Sequence, residues 1–234
     1  MMPNKAAIIT AASKGMGLAC ARELYTRGYK LGLLARSESI NEVAKELSAI
    51  AVQGSVTSKE DLKRLVDAMM GAHGRIDVVV NNTGHPAKGE LLDLSEEDWH
   101  KGLDLVLMNV IKLAKLVTPI MQKQRSGAIV NISTFAAFEP SLSFPISSAL
   151  RAALGGFTKM FADRYAADGI RMNNVLPGFI DSYEINEQIK ETIPMHRSGT
   201  VQEIAQTVAF LSLQEASYIT GQNIKVDGGL TRSV

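Results

Sequence analysis

The sequence is poor in cysteine, in aromatic residues and in excess charge of either sign. Its 234 residues include one cysteine and 6% aromatic residues, and 25 Lys and Arg nearly balance 24 Asp and Glu, which gives a net charge of +1. One cysteine excludes an internal disulfide framework and a multi-cysteine metal site. The balanced charge argues against electrostatic binding of nucleic acid and against an acidic tail.

Long hydrophobic runs and linkers are also missing. No apolar run approaches the roughly 18 residues that a membrane-spanning helix needs. Strand-like sequence starts at Lys5, so we expect no signal peptide. No Gly/Ser-rich or Pro-rich linker, low-complexity segment or internal repeat divides the chain. With 46% hydrophobic residues available for a core, we expect a soluble, cytoplasmic protein with one domain over residues 1–234 and with neither nucleic-acid nor membrane partners.

Seven short β-rich runs alternate with six longer segments of helical periodicity. Most of the short runs are continuously apolar, which is typical of strands buried on both faces. Such alternation predicts an α/β fold: a doubly wound, seven-stranded parallel sheet with helices on both faces. The predicted strands are Ala6–Thr10, Lys30–Ala35, Ile50–Val52, Asp77–Asn81, Ala128–Ile132, Met172–Leu176 and Asn223–Val226. The predicted helices are Met16–Arg27, Ile40–Leu47, Lys59–Ala72, Glu96–Gln122, Phe144–Ala167 and Val201–Leu213, and capping boxes are predicted at Thr57–Glu60 and Ser95–Asp98.

The turn after the first strand carries a glycine-rich loop. It reads Thr10-Ala-Ala-Ser-Lys-Gly-Met-Gly17 and leads into a helix. Ligands of doubly wound sheets bind beyond the carboxyl ends of the strands. Gly15 and Gly17 let the backbone approach a ligand, and the helix N-terminus offers free N–H groups to a pyrophosphate. A glycine pair can serve the geometry of the turn alone, but its position after the first strand favours dinucleotide binding.

This loop and four later segments resemble the short-chain dehydrogenase/reductase family, whose signature here is TGxxxGxG. The later segments are 76–84, 129–134, 169–178 and 218–229, so the resemblance covers nearly the whole chain. It implies a Rossmann-like single domain, an oxidoreductase similar to the 3-oxoacyl-acyl-carrier-protein reductases, and a homotetramer or homodimer. One departure is Ala11, where the family usually has its first glycine.

The end of the second strand favours NADP(H) as the cofactor. An acidic residue at its tip would accept hydrogen bonds from a ribose 2′-OH and repel a phosphate, whereas here Ala35 is followed by Arg36. Arg36 suits a 2′-phosphate, and a solvated surface arginine is the alternative. Ser13 and Lys14 in the glycine loop offer further donors.

The resemblance assigns further residues to the cofactor site. Asn82 and Gly84 would line the crevice, and Pro177–Ser182 would cover the nicotinamide. Ser55-Val56 fills the position of the family's acidic adenine contact, so that Ser55 keeps a hydroxyl but lacks the carboxylate. The predicted cofactor-binding residues are Thr10, Ser13, Lys14, Gly15, Met16, Gly17, Arg36, Ser55, Val56, Asn82, Gly84, Arg151, Pro177, Gly178, Ile180 and Ser182.

The family's reductases use a tetrad of Asn, Ser, Tyr and Lys, from which this chain departs twice. Ser147 takes the tyrosine position and Arg151 the lysine position, and no tyrosine occurs between residues 29 and 165. Asn109 matches the asparagine that holds a proton-relay water. Thr134 matches the substrate-orienting serine, with Ser133 as the alternative. These four positions are the predicted catalytic residues, and no metal site is predicted.

The two replacements remove the usual proton donor. Arg151 can grip ribose hydroxyls but does not readily release a proton, and a serine hydroxyl is a weaker acid than a phenol. General acid catalysis contributes roughly 100- to 10,000-fold. Three alternatives remain open: an already activated substrate such as an iminium ion or electron-poor alkene, a proton from His85 or Tyr183, or water relayed through Asn109.

The leading hypothesis is an NADP(H)-dependent oxidoreductase that transfers hydride to a carbonyl or imine-type substrate with this atypical pair. A catalytically silent NADP(H)-binding sensor or partner subunit is the main alternative. A purely structural member of a mixed assembly is a third. The glycine loop and Arg36 argue against the third hypothesis but do not separate the first two.

Overall fold

Seven strands form one sheet in the computed structural model, which describes residues 5–233. In chain order they are β1 (Ala6–Thr10), β2 (Lys30–Ala35), β3 (Ile50–Gln53), β4 (Val78–Asn81), β5 (Gly127–Ile132), β6 (Ile170–Pro177) and β7 (Asn223–Val226). All pairs are parallel, in the order β3-β2-β1-β4-β5-β6-β7. The predicted doubly wound sheet is confirmed. Residues 1–4 and 234, the ends of the predicted domain, lie outside the described residues.

The strand order reverses between β1 and β4, which makes their carboxyl ends the natural place for a ligand. Ile9 pairs with Val80, so the two strands end level with each other. Just beyond, the Thr10 hydroxyl donates to the Asn82 carbonyl (2.7 Å) and accepts from the Asn82 amide (2.9 Å). This pair of hydrogen bonds holds the two loops that leave the sheet side by side.

Helices cover both faces of the sheet. Within residues 5–233 they are α1 (Gly15–Thr26), α2 (Ile40–Glu46), α3 (Lys59–His73), α4 (Glu96–Leu103), α5 (Asn109–Gln124), α6 (Pro145–Tyr165), α7 (Glu187–Thr192) and α8 (Val201–Ser212). On one face α1, α2 and α8 bury residues such as Leu24 and Ile204, and on the other α3, α5 and α6 bury residues such as Leu113 and Phe161. No helix in this range is both long and apolar enough to cross a membrane.

Cys20 belongs to the hydrophobic core between the sheet and helices α1, α2 and α8. It is fully buried on α1, and burial raises the pKa of its thiol to about 12. The thiol therefore stays protonated at neutral pH and acts as a small packing side chain.

A ladder of buried amides crosses four strands beneath the carboxyl edge. Asn81 donates to Asn131 (2.8 Å), Asn131 donates to Asn174 (2.8 Å), and Asn174 donates to Asn223 (2.7 Å). Because buried polar groups are costly unless they are paired, these bonds fix the lateral register of β4 to β7. The loops that leave β4, β5 and β6 start from this fixed edge.

The helices differ from the prediction in three places. A π-helical turn, Asp104–Met108, interrupts the predicted helix Glu96–Gln122 between α4 and α5. The capping box predicted at Thr57–Glu60 is wrong, because Ser58 and not Thr57 caps α3, with a single bond that its side chain accepts from the Asp61 amide. The box at Ser95–Asp98 is confirmed. Helix α7 was not predicted, since six residues are too few to show a helical period.

Candidate active site

The glycine loop turns sharply because two backbone segments approach closely. A Cβ on Gly17 would lie 2.3 Å from the Ala11 carbonyl oxygen and 2.6 Å from the Asn82 side-chain nitrogen. Asn82 donates to the same carbonyl at 3.2 Å. Ala11 has a φ of +47°, in the left-handed region that favours glycine. The backbone at this position thus has a conformation that favours glycine, although an alanine stands there.

The N-terminus of α1 follows this loop and is open. Lys14 occupies the N-cap position, and no side-chain hydrogen bond caps the helix within the part of the chain that the structure describes. The first amide groups of a helix have no partner inside the helix, and they carry partial positive charge. They are consequently available to an anionic ligand such as a pyrophosphate.

A cavity of about 730 Å³, here called the glycine-loop cavity, opens beside this helix end. Lys14 and Arg36 lie on its wall, and neither forms an ion pair with any residue from 5 to 233. Unpaired cations beside free helix amides suit phosphate groups. Six of the predicted cofactor residues line the cavity: Ser13, Lys14, Arg36, Ser55, Val56 and Gly84.

Ser55 and Val56 line this cavity at the position where the family resemblance implies an acidic residue, and neither of them carries a charge. The Ser55 hydroxyl bonds that of Thr57 (2.8 Å), and its amide donates to Asp61 at 2.8 Å. The Ser55 amide and then Arg64 lower the pKa of the Asp61 carboxyl. Asp61 is occupied in shaping this loop, so Ser55 presents a hydroxyl and Val56 a methyl surface to a ligand.

A second cavity of about 440 Å³, the α6 cavity, lies along the N-terminal part of α6 and the loop after β6. Phe135, Phe144 and Phe179 form apolar walls. It gathers eight predicted residues: Met16, Thr134, Ser147, Arg151, Pro177, Gly178, Ile180 and Ser182. Ser133, the alternative to Thr134, also lines it, and its buried hydroxyl has no hydrogen-bond partner among residues 5–233.

Ser147 and Arg151 form a buried pair one helical turn apart. Arg151 donates from Nε to the Ser147 hydroxyl (3.3 Å) and from Nη1 to the Ile132 carbonyl (2.6 Å). The Ser147 hydroxyl accepts the bond from Arg151 and makes no other within the described chain, so its own proton is free for an oxygen in the cavity. Burial alone lowers the pKa of Arg151 to about 10, and the guanidinium stays protonated at neutral pH.

The loop after β6, residues 178–186 and here called the covering loop, lines the α6 cavity and lies beside the glycine loop. Ile180 bridges to Gly199, the Asp181 amide donates to the Gly199 carbonyl (2.9 Å), and the Asp181 side chain accepts from Val201 at the start of α8 (2.9 Å). A Cβ on Gly15 would lie 3.8 Å from that of Ser182. The glycine loop and the covering loop are therefore neighbours, and α8 anchors the latter.

Five predicted residues line neither cavity: Thr10, Gly15, Gly17, Asn82 and Asn109. The first four shape the loops around the cavities, as their hydrogen bonds and close approaches show. Asn109 is buried where the π-helical turn meets α5, and its side-chain oxygen accepts from the Val110 amide (2.5 Å). Its role in holding a water stays a prediction.

Comparisons with known proteins agree with this geometry. A family model described as enoyl-(acyl carrier protein) reductase matches residues 10–231. The 3-oxoacyl-[acyl-carrier-protein] reductase FabG of Staphylococcus epidermidis is 35% identical over 97% of this chain and 99% of its own length. The human dehydrogenase/reductase SDR family member 4 is 34% identical over 97% of this chain and 88% of its own length. The chain belongs to the short-chain dehydrogenase/reductase family.

Two solved structures of this fold superpose closely. YwfH, an NADPH-dependent reductase involved in bacilysin biosynthesis, matches with a TM-score of 0.94 at 29% identity over 99% of this chain and all of the other. L-sorbose reductase from Gluconobacter frateurii, complexed with NADPH and L-sorbose, matches with a TM-score of 0.93 at 27% identity over 99% and 98%.

Two of the candidate proton donors face each other in this short-chain dehydrogenase/reductase. The rings of His85 and Tyr183 meet edge to face with centroids 5.5 Å apart, and both line the α6 cavity. Partial burial, then the charges of Arg151 and Lys88, lower the pKa of the His85 imidazole. At neutral pH the His85 imidazole is therefore mostly uncharged. It can relay a proton, but it does not carry the additional proton of an imidazolium.

Lys88 was not among the predicted site residues, although its ammonium lies 4.9 Å from the centroid of the Phe144 ring at the α6 cavity. Several residues of the glycine-loop cavity were not predicted either: Thr83, Lys101, Asp104 and Leu105. A signal for Lys88 was present, because it lies in the long loop that leaves the carboxyl end of β4. Loops at this edge of a doubly wound sheet are where ligand contacts concentrate.

Proposed function

We propose that this chain is an NADP(H)-dependent oxidoreductase that reduces a carbonyl or imine-type substrate, with Ser147 and Arg151 where its relatives place tyrosine and lysine. The observation that carries the proposal is the pairing of the two cavities. One has unpaired Lys14 and Arg36 beside the open N-terminus of α1, and the other holds the buried Ser147–Arg151 pair. Both solved relatives are described with NADPH.

The residues present fit such a cofactor. The amides at the start of α1 would hold its pyrophosphate, Arg36 and Lys14 its 2′-phosphate, and Arg151 its nicotinamide ribose. Gly17 has no space for a side chain, and this is what lets the loop backbone reach a ligand. Ser182 on the covering loop would bind the carboxamide. The bound nicotinamide supplies the hydride for the reduction.

Ser147 and Thr134 would hold the substrate oxygen. The free proton of the Ser147 hydroxyl donates a hydrogen bond to that oxygen, while Arg151 behind it stabilises the negative charge that develops there. Neither group releases a proton easily at neutral pH, since the Arg151 pKa stays near 10. The proton that completes the reduction comes from solvent, by way of His85 or of a water held by Asn109.

A direct test combines cofactor titration with turnover. NADPH and NADH are titrated separately by fluorescence, and the protein is then assayed on ketones, cyclic imines and enones. We expect tighter binding of NADPH than of NADH, together with turnover of at least one substrate class. Absence of NADPH binding would contradict the proposal.

A catalytically silent NADP(H)-binding protein is the second candidate, because Ser147 stands at the tyrosine position and the phenol of the α6 cavity, Tyr183, makes no hydrogen bond with Ser147 among residues 5–233. The double variant Ser147→Tyr/Arg151→Lys separates the two. If the wild-type chain binds NADPH without turnover while the double variant gains activity, the result supports a catalytically silent binding protein. Turnover by the wild-type chain contradicts it.

The cytoplasmic location is a proposal that rests on the composition of the chain, and the homotetramer or homodimer is a proposal that rests on the family resemblance. Sedimentation at several protein concentrations tests the second of them. A monomer at every concentration would contradict it.

A further inference from the structure

Arg151 is a buried cation without a counter-ion. The residue is 5% exposed, and it forms no ion pair with any residue from 5 to 233. Within the described residues the Arg151 guanidinium donates two hydrogen bonds, both to neutral oxygens: the Ser147 hydroxyl and the Ile132 carbonyl. Its Nη2 donors have no acceptor in the described chain, although the side chain lines the α6 cavity. A buried charge is costly unless it is paired, so the missing partner is expected in the cavity.

Lys88 brings a second cation to the same space. Its ammonium stands over the Phe144 ring and has no carboxylate partner among residues 5–233. Both Lys88 and Arg151 lower the pKa of His85, so both charges are felt inside the cavity. Glu184 is the acidic residue that lines the cavity, and it is exposed and pairs with neither cation.

Neutral ligands do not balance these charges. Ribose hydroxyls can accept hydrogen bonds from Arg151, but they leave its charge uncompensated. A carboxylate accepts two parallel bonds from a guanidinium and neutralises it. Aromatic walls formed by Phe135 and Phe179 leave apolar surface for the remainder of the ligand.

We infer that the substrate is a small organic acid, whose carboxylate binds Arg151 with Lys88 nearby and whose apolar part packs on the aromatic walls. This inference rests on the proposed function. The overall reaction converts an oxo acid to a hydroxy acid: the carbonyl carbon gains the hydride of NADPH, the oxygen gains a solvent proton, and NADP⁺ is released.

Binding of an unreactive acid tests the inference without turnover. We would titrate 4-fluorobenzoate and its uncharged twin 4-fluorobenzamide into the full chain, with and without NADP⁺, and follow the ¹⁹F signal. We expect the acid to bind about tenfold tighter than the amide. Inorganic phosphate at the same concentration should leave the acid bound, and its displacement would overturn the assignment to a carboxylate.

Variants locate the charge that is responsible. Arg151→Met should abolish the preference for the acid, and Arg151→Lys should keep most of it. Lys88→Gln should reduce the preference about threefold, whereas the matched control Lys45→Gln, an exposed lysine on α2, should not change it. Thermal melting checks that each variant folds. If Arg151→Met does not fold, the acid–amide comparison and Lys88→Gln still decide.

Failure of this inference is distinct from failure of the proposed function. Equal binding of acid and amide by a chain that binds NADPH would overturn the anionic substrate alone. Preference for the acid in a chain that does not bind NADPH would support the anion site and contradict the oxidoreductase.

Discussion

Ala11 adopts a backbone conformation that is unfavourable for a residue with a Cβ. At φ +47° an L-residue is strained by roughly 1–2 kcal/mol relative to the right-handed region. Ala11→Gly removes that strain but adds conformational entropy to the unfolded chain, roughly 0.4–1 kcal/mol. We expect a net rise of about 0.5 kcal/mol in the free energy of unfolding, measured by urea denaturation.

The next residue is the control. Ala12 is fully buried and has no positive φ. Ala12→Gly gains no relief of strain and loses a packed methyl group, so it should lower the free energy of unfolding by about 1 kcal/mol. Equal losses in both glycine variants would show that the left-handed turn at Ala11 is not strained.

Ser147 should matter for turnover more than for cofactor binding. Ser147→Ala removes the hydroxyl that faces the α6 cavity and leaves the Nε donor of Arg151 without its acceptor. We expect kcat to fall about 100-fold while the affinity for NADPH changes little, as single-turnover kinetics and fluorescence titration would measure.

Ser148 serves as its matched control. This neighbouring buried serine accepts from the Ser141 amide and does not line the α6 cavity. Ser148→Ala should leave kcat within a few-fold of the wild-type value. If the two variants lost activity equally, Ser147 would be a packing residue only.

At the level of elements, the start of α8 links stability to the covering loop. Glu203 accepts from Arg197 (2.6 Å) and from the Thr200 amide (2.8 Å), and these bonds lower the pKa of its carboxyl to about 2. The same helix start donates from Val201 to Asp181 of the covering loop. An ionised Glu203 therefore holds the start of α8, and the Val201 amide of this helix start in turn holds the covering loop.

The pH dependence follows from the direction of this shift. A carboxyl with a depressed pKa stabilises the folded chain above its unfolded pKa of about 4.5, and this contribution fades as the pH falls towards 2. Glu203→Gln should lower the melting temperature at pH 7, while its difference from the wild-type chain vanishes near pH 2. The effect is modest, since the pair is 40% or more exposed.

Glu42→Gln provides the comparison for this prediction. Glu42 lies exposed in the first turn of α2 and has no ion pair within residues 5–233. The melting temperature of the Glu42→Gln variant should follow that of the wild-type chain across the pH range. A pH-independent loss in Glu203→Gln would mean that the carboxylate charge contributes nothing.

At the scale of the whole molecule, the fold could be predicted from the sequence, whereas the candidate site could be predicted only in part. Continuous apolar runs such as residues 78–80 identify buried strands, because few other structures bury every residue of a short segment. The loop of Lys88 could be placed at the carboxyl edge of the sheet because it follows β4, but its contact with Phe144 could not be predicted, since the loop has no periodicity and only the folded chain brings the two residues together. Likewise, the lack of a counter-ion at Arg151 depends on what surrounds α6 and leaves no pattern in the sequence.

The net charge of the whole chain is small, whereas two cations lie together at the candidate cofactor site. The salt dependence of cofactor affinity tests whether the local charge is responsible for selectivity. A net charge of +1 gives the molecule little overall field. We therefore expect the preference for NADPH over NADH to arise locally, from Arg36 and Lys14 at the glycine-loop cavity, neither of which has an ion-pair partner among residues 5–233. The screening length shrinks from about 10 Å at 0.1 M salt to about 3 Å at 1 M.

We expect the ratio of NADPH to NADH affinity to fall about fivefold over that range of salt, because Arg36 is exposed and its contact with a phosphate is screened. In Arg36→Gln the ratio of NADPH to NADH affinity should be smaller at low salt and should change little with the salt concentration. Fluorescence titrations of both cofactors with both proteins measure it. A wild-type ratio that is independent of salt, or an unchanged ratio in Arg36→Gln, would place the selectivity for the 2′-phosphate on other residues than Arg36.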